Sequence, residues 1–403
     1  MTHTLISFLG KSQKKDGLYS SANYDFDGQV ETTRFFALAL NKVIKPDRQV
    51  ILGTSGSMWD VLFENFADVA EYEEQTLQLI DAVANDSVSQ SQLDACEPLL
   101  KQRLGLNCQL RLIPYGENTK TQVEILQIMA EGVNKGDQVS LDLTHGLRHL
   151  PMLGLLSAMY LQTAKKVKMG GIYYGALDRT PRHVDNPLTP VMRLDGLLKI
   201  ADWITALHGF DKTGDIAPFS ELLQQEDVMP ETAELLKTAA FHESILNITD
   251  ARRPLRDFAK QTAQGLPGIA SLFQDSLNER ISWKDQDSIY LRQREQACFY
   301  LQRGDYVRAA TWGYEALITY HLKQQNPRAD EQSYELRKQV REKLEAEKGD
   351  HFQQYKLLRN IRNSLAHANR ADTKEVQQAL SSQERLQQTL TGLFTKLLPD
   401  TTQ

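Results

Sequence analysis

Residues 138–164 read QVSLDLTHGLRHLPMLGLLSAMYLQTA, and they contain three signals in a row. Residues 138–143 form a short, mostly apolar run that predicts a buried strand, and residues 148–164 have the spacing of apolar residues typical of a helix. Between them lies a polar turn rich in side chains that can donate hydrogen bonds. A strand followed by a turn and a helix is half of a β-α-β unit, so this stretch predicts a parallel sheet.

The same alternation extends over the first 180 or so residues. A helix is predicted over residues 121–132, between two of the strands. Strand and helix in alternation predict a Rossmann-like, doubly wound and mostly parallel sheet, in which ligands bind at the carboxyl ends of the strands. The predicted strands are residues 5–9, 49–53, 109–114, 138–143 and 172–177.

Strand signals end near residue 195, and the rest of the chain reads as helices rich in Gln, Glu, Leu and Arg. Residues 287–325 predict two antiparallel helices joined at residues 303–305. The sequence therefore predicts an α/β domain followed by an all-α domain. We assign residues 1–200 to the α/β domain, 201–289 to a helical linker or insertion, and 290–403 to the second domain.

Composition excludes several classes of protein. The net charge of −6 over 403 residues argues against a protein that coats nucleic acid through bulk charge, although a local basic patch can still bind it. The three cysteines have no CxxC spacing, so neither a zinc site nor a disulfide framework is predicted. The N-terminal apolar run is too short for a signal or membrane segment, and we expect a cytoplasmic protein that contacts no membrane.

Two of the predicted strands end in turns that suit an anion. The first turn offers backbone N–H groups and hydroxyls ahead of a predicted helix, and the second adds imidazole and guanidinium groups. Gly and Ser after a strand are also ordinary turn and cap residues, and neither turn matches GxGxxG or GxxxxGK[ST]. The candidate ligand-binding residues here are Gly53, Thr54, Ser55, Gly56, Ser57, Thr144, His145, Gly146 and Arg148.

Acidic residues flank the first of these turns. Residues 49–100 contain ten Asp and Glu residues and no Lys or Arg. We interpret this stretch as a solvated face that points away from the anion site.

A third candidate site lies near the C-terminus, where residues 359–370 read RNIRNSLAHANR. Residues 351–370 contain no Asp or Glu, so the surface around Asn363 and His367 is locally positive and suits a phosphodiester. On a helix Asn363 and His367 share a face, whereas Arg362 points elsewhere. Histidine can serve as the general acid or base of RNA cleavage, and arginine can stabilise a charged phosphorane. The alternative is a solvated helix face without catalytic function.

One chain supplies only one histidine of this kind, so two copies of the helix in a homodimer would complete the chemistry. Glu315 lies on a helix that can pack behind Arg362 and orient a basic side chain, or it faces solvent.

The segment RNSLAH, from Arg362 to His367, resembles the R-x4-6-H signature of HEPN nucleases, and LDLTHGLRHLP resembles the corresponding segment of CARF domains. This pairing is similar to the ancillary ribonucleases of type III CRISPR systems. The resemblance implies a homodimer or higher oligomer whose CARF domains bind cyclic oligoadenylate and activate cleavage of single-stranded RNA. It implies no metal or other cofactor. The catalytic residues would be Arg362, Asn363 and His367.

The same resemblance implies that residues 53–57 and 144–148 hold the messenger, with Lys11 as a phosphate contact and Trp59 placed to stack on an adenine. Two alternatives remain open. One is a non-enzymatic sensor whose helical domain only dimerises or binds nucleic acid. The other is a ring nuclease, in which Thr144, His145 or Ser57 helps to cleave the messenger itself.

Overall fold

The computed structural model describes residues 1–12, 19–63, 73–105, 107–368 and 373–400. The chain divides into two units, Met1–Ala201 and Asp202–Gln403. Strands and helices alternate in the first unit, whereas the described residues of the second unit form helices and connecting turns. The predicted fold class, α/β followed by all-α, is confirmed. The assignment of residues 201–289 to a separate linker stays a prediction.

Eight strands of the first unit form one sheet, in the order β3-β2-β8-β7-β6-β1-β4-β5. The pairs β5/β4, β4/β1, β1/β6, β6/β7 and β2/β8 are parallel, and the pairs β2/β3 and β7/β8 are antiparallel. The strands are β1 (His3–Leu9), β2 (Ala22–Phe26), β3 (Gln29–Thr33), β4 (Arg48–Gly53), β5 (Cys108–Leu112), β6 (Gln138–Asp142), β7 (Lys168–Gly175) and β8 (Leu188–Arg193).

The five strands predicted from apolar runs are β1, β4, β5, β6 and β7. Strands β2, β3 and β8 were missed because they are short, polar and partly exposed, as ANYDF and QVETT show. They lie at the side of the sheet where burial is incomplete, so no continuous apolar run marks them.

Both faces of the central sheet are covered, as a doubly wound fold requires. Alternate residues of β1 point to opposite faces: Ile6 and Phe8 join the core beneath α4 and α5, whereas Leu9 joins the core on the other face. The helices of this unit are α1 (Phe36–Ile44), α2 (Glu73–Ala84), α3 (Gln90–Leu104), α4 (Thr119–Ala130) and α5 (Leu150–Ala164).

The second unit has one apolar core, which includes residues from Trp203 to Leu398. The predicted pair of antiparallel helices is present, and Gly304, with a φ of 72°, permits the turn between them. The helices are α6 (Gly196–Thr213), α7 (Ala217–Gln224), α8 (Pro230–Ser244), α9 (Ile248–Gln261), α10 (Gln274–Arg280), α11 (Ile289–Gln302), α12 (Tyr306–Gln325), α13 (Tyr334–Ala346), α14 (Asp350–His367), α15 (Lys374–Ala379) and α16 (Gln383–Leu397).

Helix α12 lies at the centre of this unit and packs against α11, α13, α14 and α16. Among the helices that the structure describes, none combines the length and the apolar character needed to cross a bilayer.

Two glycines provide a matched test of helix packing in the second unit. A Cβ at Gly313 of α12 would lie 2.6 Å from Cζ of the buried Phe394 of α16, whereas a Cβ at Gly392 of α16 would meet nothing within 4 Å. We expect Gly313→Ala to lower the free energy of unfolding by about 1–3 kcal/mol through overpacking. Gly392→Ala should raise it by up to about 1 kcal/mol through helix propensity. Urea unfolding followed by circular dichroism measures both, and equal effects would contradict the packing of α12 on α16.

Candidate functional sites

The turn after β4 is held together by its own polar side chains. Ser57 Oγ accepts a hydrogen bond from Thr54 N at 2.9 Å and donates to the Leu9 carbonyl at 2.8 Å. The Trp59 indole N–H donates to the Thr54 carbonyl at 2.8 Å. All three of these side chains are buried, so the turn is rigid and its hydroxyl groups have partners inside the protein.

The roles predicted for this turn therefore change. Trp59 has an exposed fraction of 0% and lies in the apolar core, so in this structure its ring has no free face for an adenine. The predicted helix after the turn is a four-residue 3₁₀ helix, Trp59–Leu62, and offers no extended helix N-terminus. Gly53 and Gly56 are also buried, and Ser55 is half-buried. Gly53 and Gly56 thus form the buried backbone of the turn, and Ser55 contributes to its accessible surface.

The turn after β6 makes close backbone contacts with β1. A Cβ on Gly10 would lie 2.6 Å from the backbone nitrogen of Gly146, whose φ is 120°. Thr144 N donates to Asp142 Oδ1 at 2.8 Å, and Thr144 Oγ1 accepts from Gly175 N at 2.8 Å. The ends of β1, β6 and β7 are thereby joined through this turn, as the carboxyl-end argument predicts.

His145 is neutral rather than cationic in this turn. Burial lowers the pKa of its imidazole to about 4, and Nε2 accepts a hydrogen bond from Phe36 N at 3.3 Å. Its ring centroid lies 5.4 Å from that of Phe35. His145 thus anchors the start of α1, and the positive charge expected at this position is absent near neutral pH.

Arg148 is the exposed cation of the same turn. Its side chain has no hydrogen bond or ion pair with any part of the chain that the structure describes. The neighbouring His149 is fixed, because its Nε2 lies 2.7 Å from the Tyr115 carbonyl oxygen. Arg148 is therefore the predicted ligand contact whose charge is available to an anion.

Lys11 forms an ion pair with Asp86, a residue of the acidic stretch 49–100 that was predicted to point away from the anion site. Its Nζ is 2.7 Å from Asp86 Oδ1, and 65% and 50% of the two side chains are exposed. This carboxylate raises the pKa of Lys11. The prediction that the acidic stretch 49–100 points away from the anion site is therefore wrong for Asp86, which also lies against Gly56. Lys11 and Gly56 line one cavity of about 290 Å³.

Sequence analysis did not identify the carboxylate of Asp142 as a candidate functional group at this edge of the sheet. Its side chain is fully buried at the end of β6, and Oδ2 has no hydrogen-bond partner within the described ranges. Burial raises the pKa of Asp142 to about 7. A charged residue inside the apolar run VSLDL was the signal that could have revealed it.

The second site lies on α14, where Arg362, Asn363 and His367 occupy the last two turns. Arg362 Nη1 donates to Asn363 Oδ1 at 2.9 Å, and the Arg362 Nε has no partner among the described residues. His367 is exposed and is the last residue of the helix, followed by Ala368 at a φ of 51°. Arg370 lies outside the described residues, so the C-terminal end of the predicted basic stretch has no structural account.

Arg362 is supported from below by an aromatic side chain that sequence analysis did not assign. The guanidinium carbon lies 5.4 Å from the centroid of the Tyr314 ring on α12. Tyr314 in turn stacks on Tyr355 of α14, with centroids 6.2 Å apart, and both tyrosines are buried. A cation held over an aromatic ring keeps its charge while its position is restricted.

Glu315 does orient a basic side chain, but that side chain is Arg337 of α13, which donates to Glu315 Oε2. Arg359, one turn before Arg362, pairs with Glu345 at 2.6 Å. These two ion pairs connect α13 to the helices on either side, α12 and α14. They leave Arg362 free of any carboxylate within the described chain.

Two matches relate this geometry to known proteins. Residues 4–178 match the family model described as "CRISPR system endoribonuclease Csx1, CARF domain". Most of the first unit therefore matches a CARF domain of a CRISPR-associated family.

The chain is also similar to the CRISPR-associated protein MJ1674 of Methanocaldococcus jannaschii, with 26% identity over 408 aligned residues. The alignment covers 91% of this chain and 62% of that relative, so the chain spans less than two thirds of the relative's length. The family model ends within the first unit, and the similarity to MJ1674 extends into the helical unit.

Asp142→Asn should change the pH dependence of stability. The pKa of Asp142 is about 7 in the folded chain, above its ordinary value of 3.8, so the folded state binds the extra proton and the wild type loses stability as pH rises through about 7. The uncharged amide can still accept from Thr144 N and has no such loss. The variant should therefore gain stability relative to the wild type as the pH rises from about 4 to about 7, as measured by urea unfolding.

Asp137→Asn is the matched control, because hydrogen bonds from the backbone of Thr2 and Asn134 lower the pKa of Asp137. Asp137→Asn should be less stable than the wild type by a constant amount at neutral pH, and this difference should shrink only at acidic pH, since the stability that Asp137 contributes is lost as pH falls through the lowered pKa. Parallel stability curves for the wild type and Asp142→Asn would contradict the raised pKa of Asp142.

Proposed function

We propose that this protein is an endoribonuclease that cleaves single-stranded RNA when its CARF domain binds a cyclic oligoadenylate. The active site is formed by α14 helices of two chains, and the reaction uses no metal. The observation that carries the proposal is the pairing of Arg362 with Asn363 beside the exposed His367, in a chain whose first unit matches a CARF domain over most of its length. The description of the matched family, which names an endoribonuclease, supports the same activity.

Each residue of the α14 motif has a distinct chemical role. The imidazole of His367 can take the proton of a 2′-hydroxyl or give one to the leaving 5′-oxygen. The guanidinium of Arg362 can stabilise the charge that develops on the phosphorane oxygens. Asn363 holds that guanidinium through Oδ1, and its side-chain N–H groups remain to bind phosphate.

The geometry of α14 supports an active site made by two chains. Arg362 and His367 are five residues apart, which turns the side chains about 140° around the helix axis. Arg362 lies at the edge of the buried face, over Tyr314, whereas His367 faces outward. A second α14 brings the other arginine and the other histidine to the same phosphodiester, so we propose a homodimer with a composite active site.

The proposed mechanism needs no metal, since side chains would supply the acid, the base and the cation. Within the described ranges, no three His, Cys, Asp or Glu side chains are grouped so that they could hold a metal ion.

For the CARF domain we propose that the messenger lies across the carboxyl ends of β1, β4 and β6. Arg148 supplies an exposed cation, and Lys11 supplies a second cation once a phosphate displaces Asp86. We do not propose a ring nuclease, because Ser57, Thr144 and His145 each have hydrogen-bond partners inside the protein.

His367→Ala should abolish RNA cleavage and leave messenger binding intact. The assay follows cleavage of a fluorescent single-stranded RNA in EDTA, with no activator or with cyclic tri-, tetra- or hexa-adenylate. Loss of the acid or base should lower the rate by at least about 10²-fold. His351→Ala is the matched control, because it removes an imidazole from the other end of α14, where His351 contacts His321.

Full activity of His367→Ala would remove the assignment of α14 as the active site. If no ring size elicits cleavage although one of them binds, the protein is a non-enzymatic sensor. Cleavage that requires a divalent ion would contradict the proposed metal-free mechanism.

Arg148→Ala should shift the activation curve to higher messenger concentrations by about 10-fold or more, the loss expected for one hydrogen bond to a charged group. Lys168→Ala is the control, because this exposed lysine begins β7 at the opposite edge of the sheet. The concentration of messenger that gives half-maximal cleavage is the quantity to measure. An unchanged curve for Arg148→Ala would place the messenger elsewhere.

A further inference from the structure

The outer face of α9 carries a group of cations that the proposed active site does not use. Arg252, Arg256 and Lys260 follow one another at intervals of four residues, and Arg253 lies beside them. Their spacing places them on one face of the helix, about 6 Å apart along its axis. With Arg292 of α11, these residues form what we call the α9 basic cluster.

Little of this charge is neutralised within the protein. Within the described chain, the exposed cations of the cluster have one acidic contact, between Arg253 and Asp257, and its N–O distance of 3.9 Å is too long for a hydrogen bond. Arg252 donates to the backbone carbonyl of Lys284 rather than to a carboxylate. Arg256 and Lys260 are exposed and have no partner among the residues that the structure describes.

Arg292 is the buried member of the cluster. Only 6% of Arg292 is exposed, and its Nε is buried without a hydrogen-bond partner within the described ranges. Burial lowers the pKa of Arg292, the nearby charges of Arg252 and Arg256 lower it further, and Glu331 and Asp287 act in the opposite direction. Arg292 Nη1 donates to the Gln286 carbonyl at 2.8 Å, which leaves Nε as the donor that an added anion can use. A buried guanidinium near two like charges is stabilised when an anion binds to it.

The five cations surround one cavity. Its volume is about 640 Å³, and its lining is completed by Thr249 and Asp257. Every residue in this lining is polar or charged, so the cavity has no apolar wall that would receive a lipid chain or the apolar anchors of a protein partner. A chain of phosphates connected by polar sugars matches both the charge and the repeat of the cluster.

We propose that the α9 basic cluster binds the phosphate backbone of the single-stranded RNA substrate at a distance from the scissile bond. This inference rests on the proposed function for the identity of the RNA as substrate. Arg252, Arg253, Arg256 and Lys260 contact successive phosphates along the helix, and Arg292 holds one phosphate at the base of the cavity. Because the contacts are with phosphates, they confer affinity without a preference for base sequence.

The cluster and the active-site motif lie on different helices. Helix α9 packs against α8 and α11, whereas α14 packs against α12, α13, α15 and α16. Removing charge from α9 therefore changes RNA binding without altering the residues that support Arg362.

The test measures the affinity of the full chain for a fluorescein-labelled, unstructured RNA by fluorescence anisotropy at several salt concentrations. All variants carry His367→Ala, which prevents cleavage during the measurement. We expect Arg253→Gln, Arg256→Gln and Lys260→Gln together to weaken binding about 10-fold or more at low salt. The slope of log K against log salt concentration should become shallower by about 2, since each contact with single-stranded RNA contributes about 0.7.

The matched control also removes three exposed positive charges, from α8, α13 and α16, through Lys237→Gln, Lys338→Gln and Lys396→Gln. Its affinity and salt slope should remain close to those of the His367→Ala parent. Replacing Arg253 and Arg256 by Lys should retain most of the affinity, because the charge is kept.

Equal effects of the two triple variants, or no effect of either, would overturn the proposal. So would a cluster variant that binds RNA normally but no longer binds anionic phospholipid vesicles. Failure of the proposed function is distinguishable: if the wild type does not cleave RNA but binding still depends on α9, the surface stands and the nuclease does not. If cleavage is normal but RNA binding does not depend on the charges of α9, the proposed nuclease activity stands and the proposed α9 surface does not.

Discussion

The position of β1 between β4 and β6 is the constraint on which the first unit depends. Because all three strands are parallel and in register, their carboxyl ends reach the same edge, where Ser57 binds the Leu9 carbonyl and Gly146 touches Gly10. The polar groups around these contacts are mostly used to hold the two turns together. Most polar groups at this edge therefore keep it rigid, and few remain free to bind a ligand. Arg148 is the main one of these. A preformed edge of this kind lowers the entropy lost when a ligand binds.

In the helical unit, too, the contacts that stabilise the fold also position the candidate functional group. Its catalytic candidate Arg362 is not an isolated surface charge, since it lies over Tyr314, which stacks on Tyr355 of the same helix as the arginine. Burial of the two rings fixes α14 on α12, and the guanidinium keeps one donor, Nε, without a partner in the described chain. Stability and the proposed activity thus depend on the same pair of helices. The dimer proposed for catalysis would begin from a preorganised half-site.

Sequence predicted the elements whose burial leaves a clear pattern. The five buried parallel strands and the α11/α12 hairpin were correct because apolar residues recur with the period of each element. Strands β2, β3 and β8 are partly exposed and carry no such pattern. The burial of Trp59 and the packing of His145 could not be predicted for a different reason. A residue next to the carboxyl ends of the strands can point into the core, and only the packing of Phe35 and Ser57 reveals its direction. The pairing of Lys11 with Asp86 joins residues 75 positions apart, which no local pattern could show.

The pair formed by Lys11 and Asp86 has a consequence for how ionic strength acts on the messenger site. An exposed ion pair of this kind contributes little to stability, so a phosphate can displace the carboxylate at small cost. Salt weakens the attraction of Lys11 for the phosphate, but it weakens the competing attraction for Asp86 as well. The two effects partly cancel at this lysine. Affinity for a polyphosphate ring would therefore fall less steeply with ionic strength than a count of its charges implies.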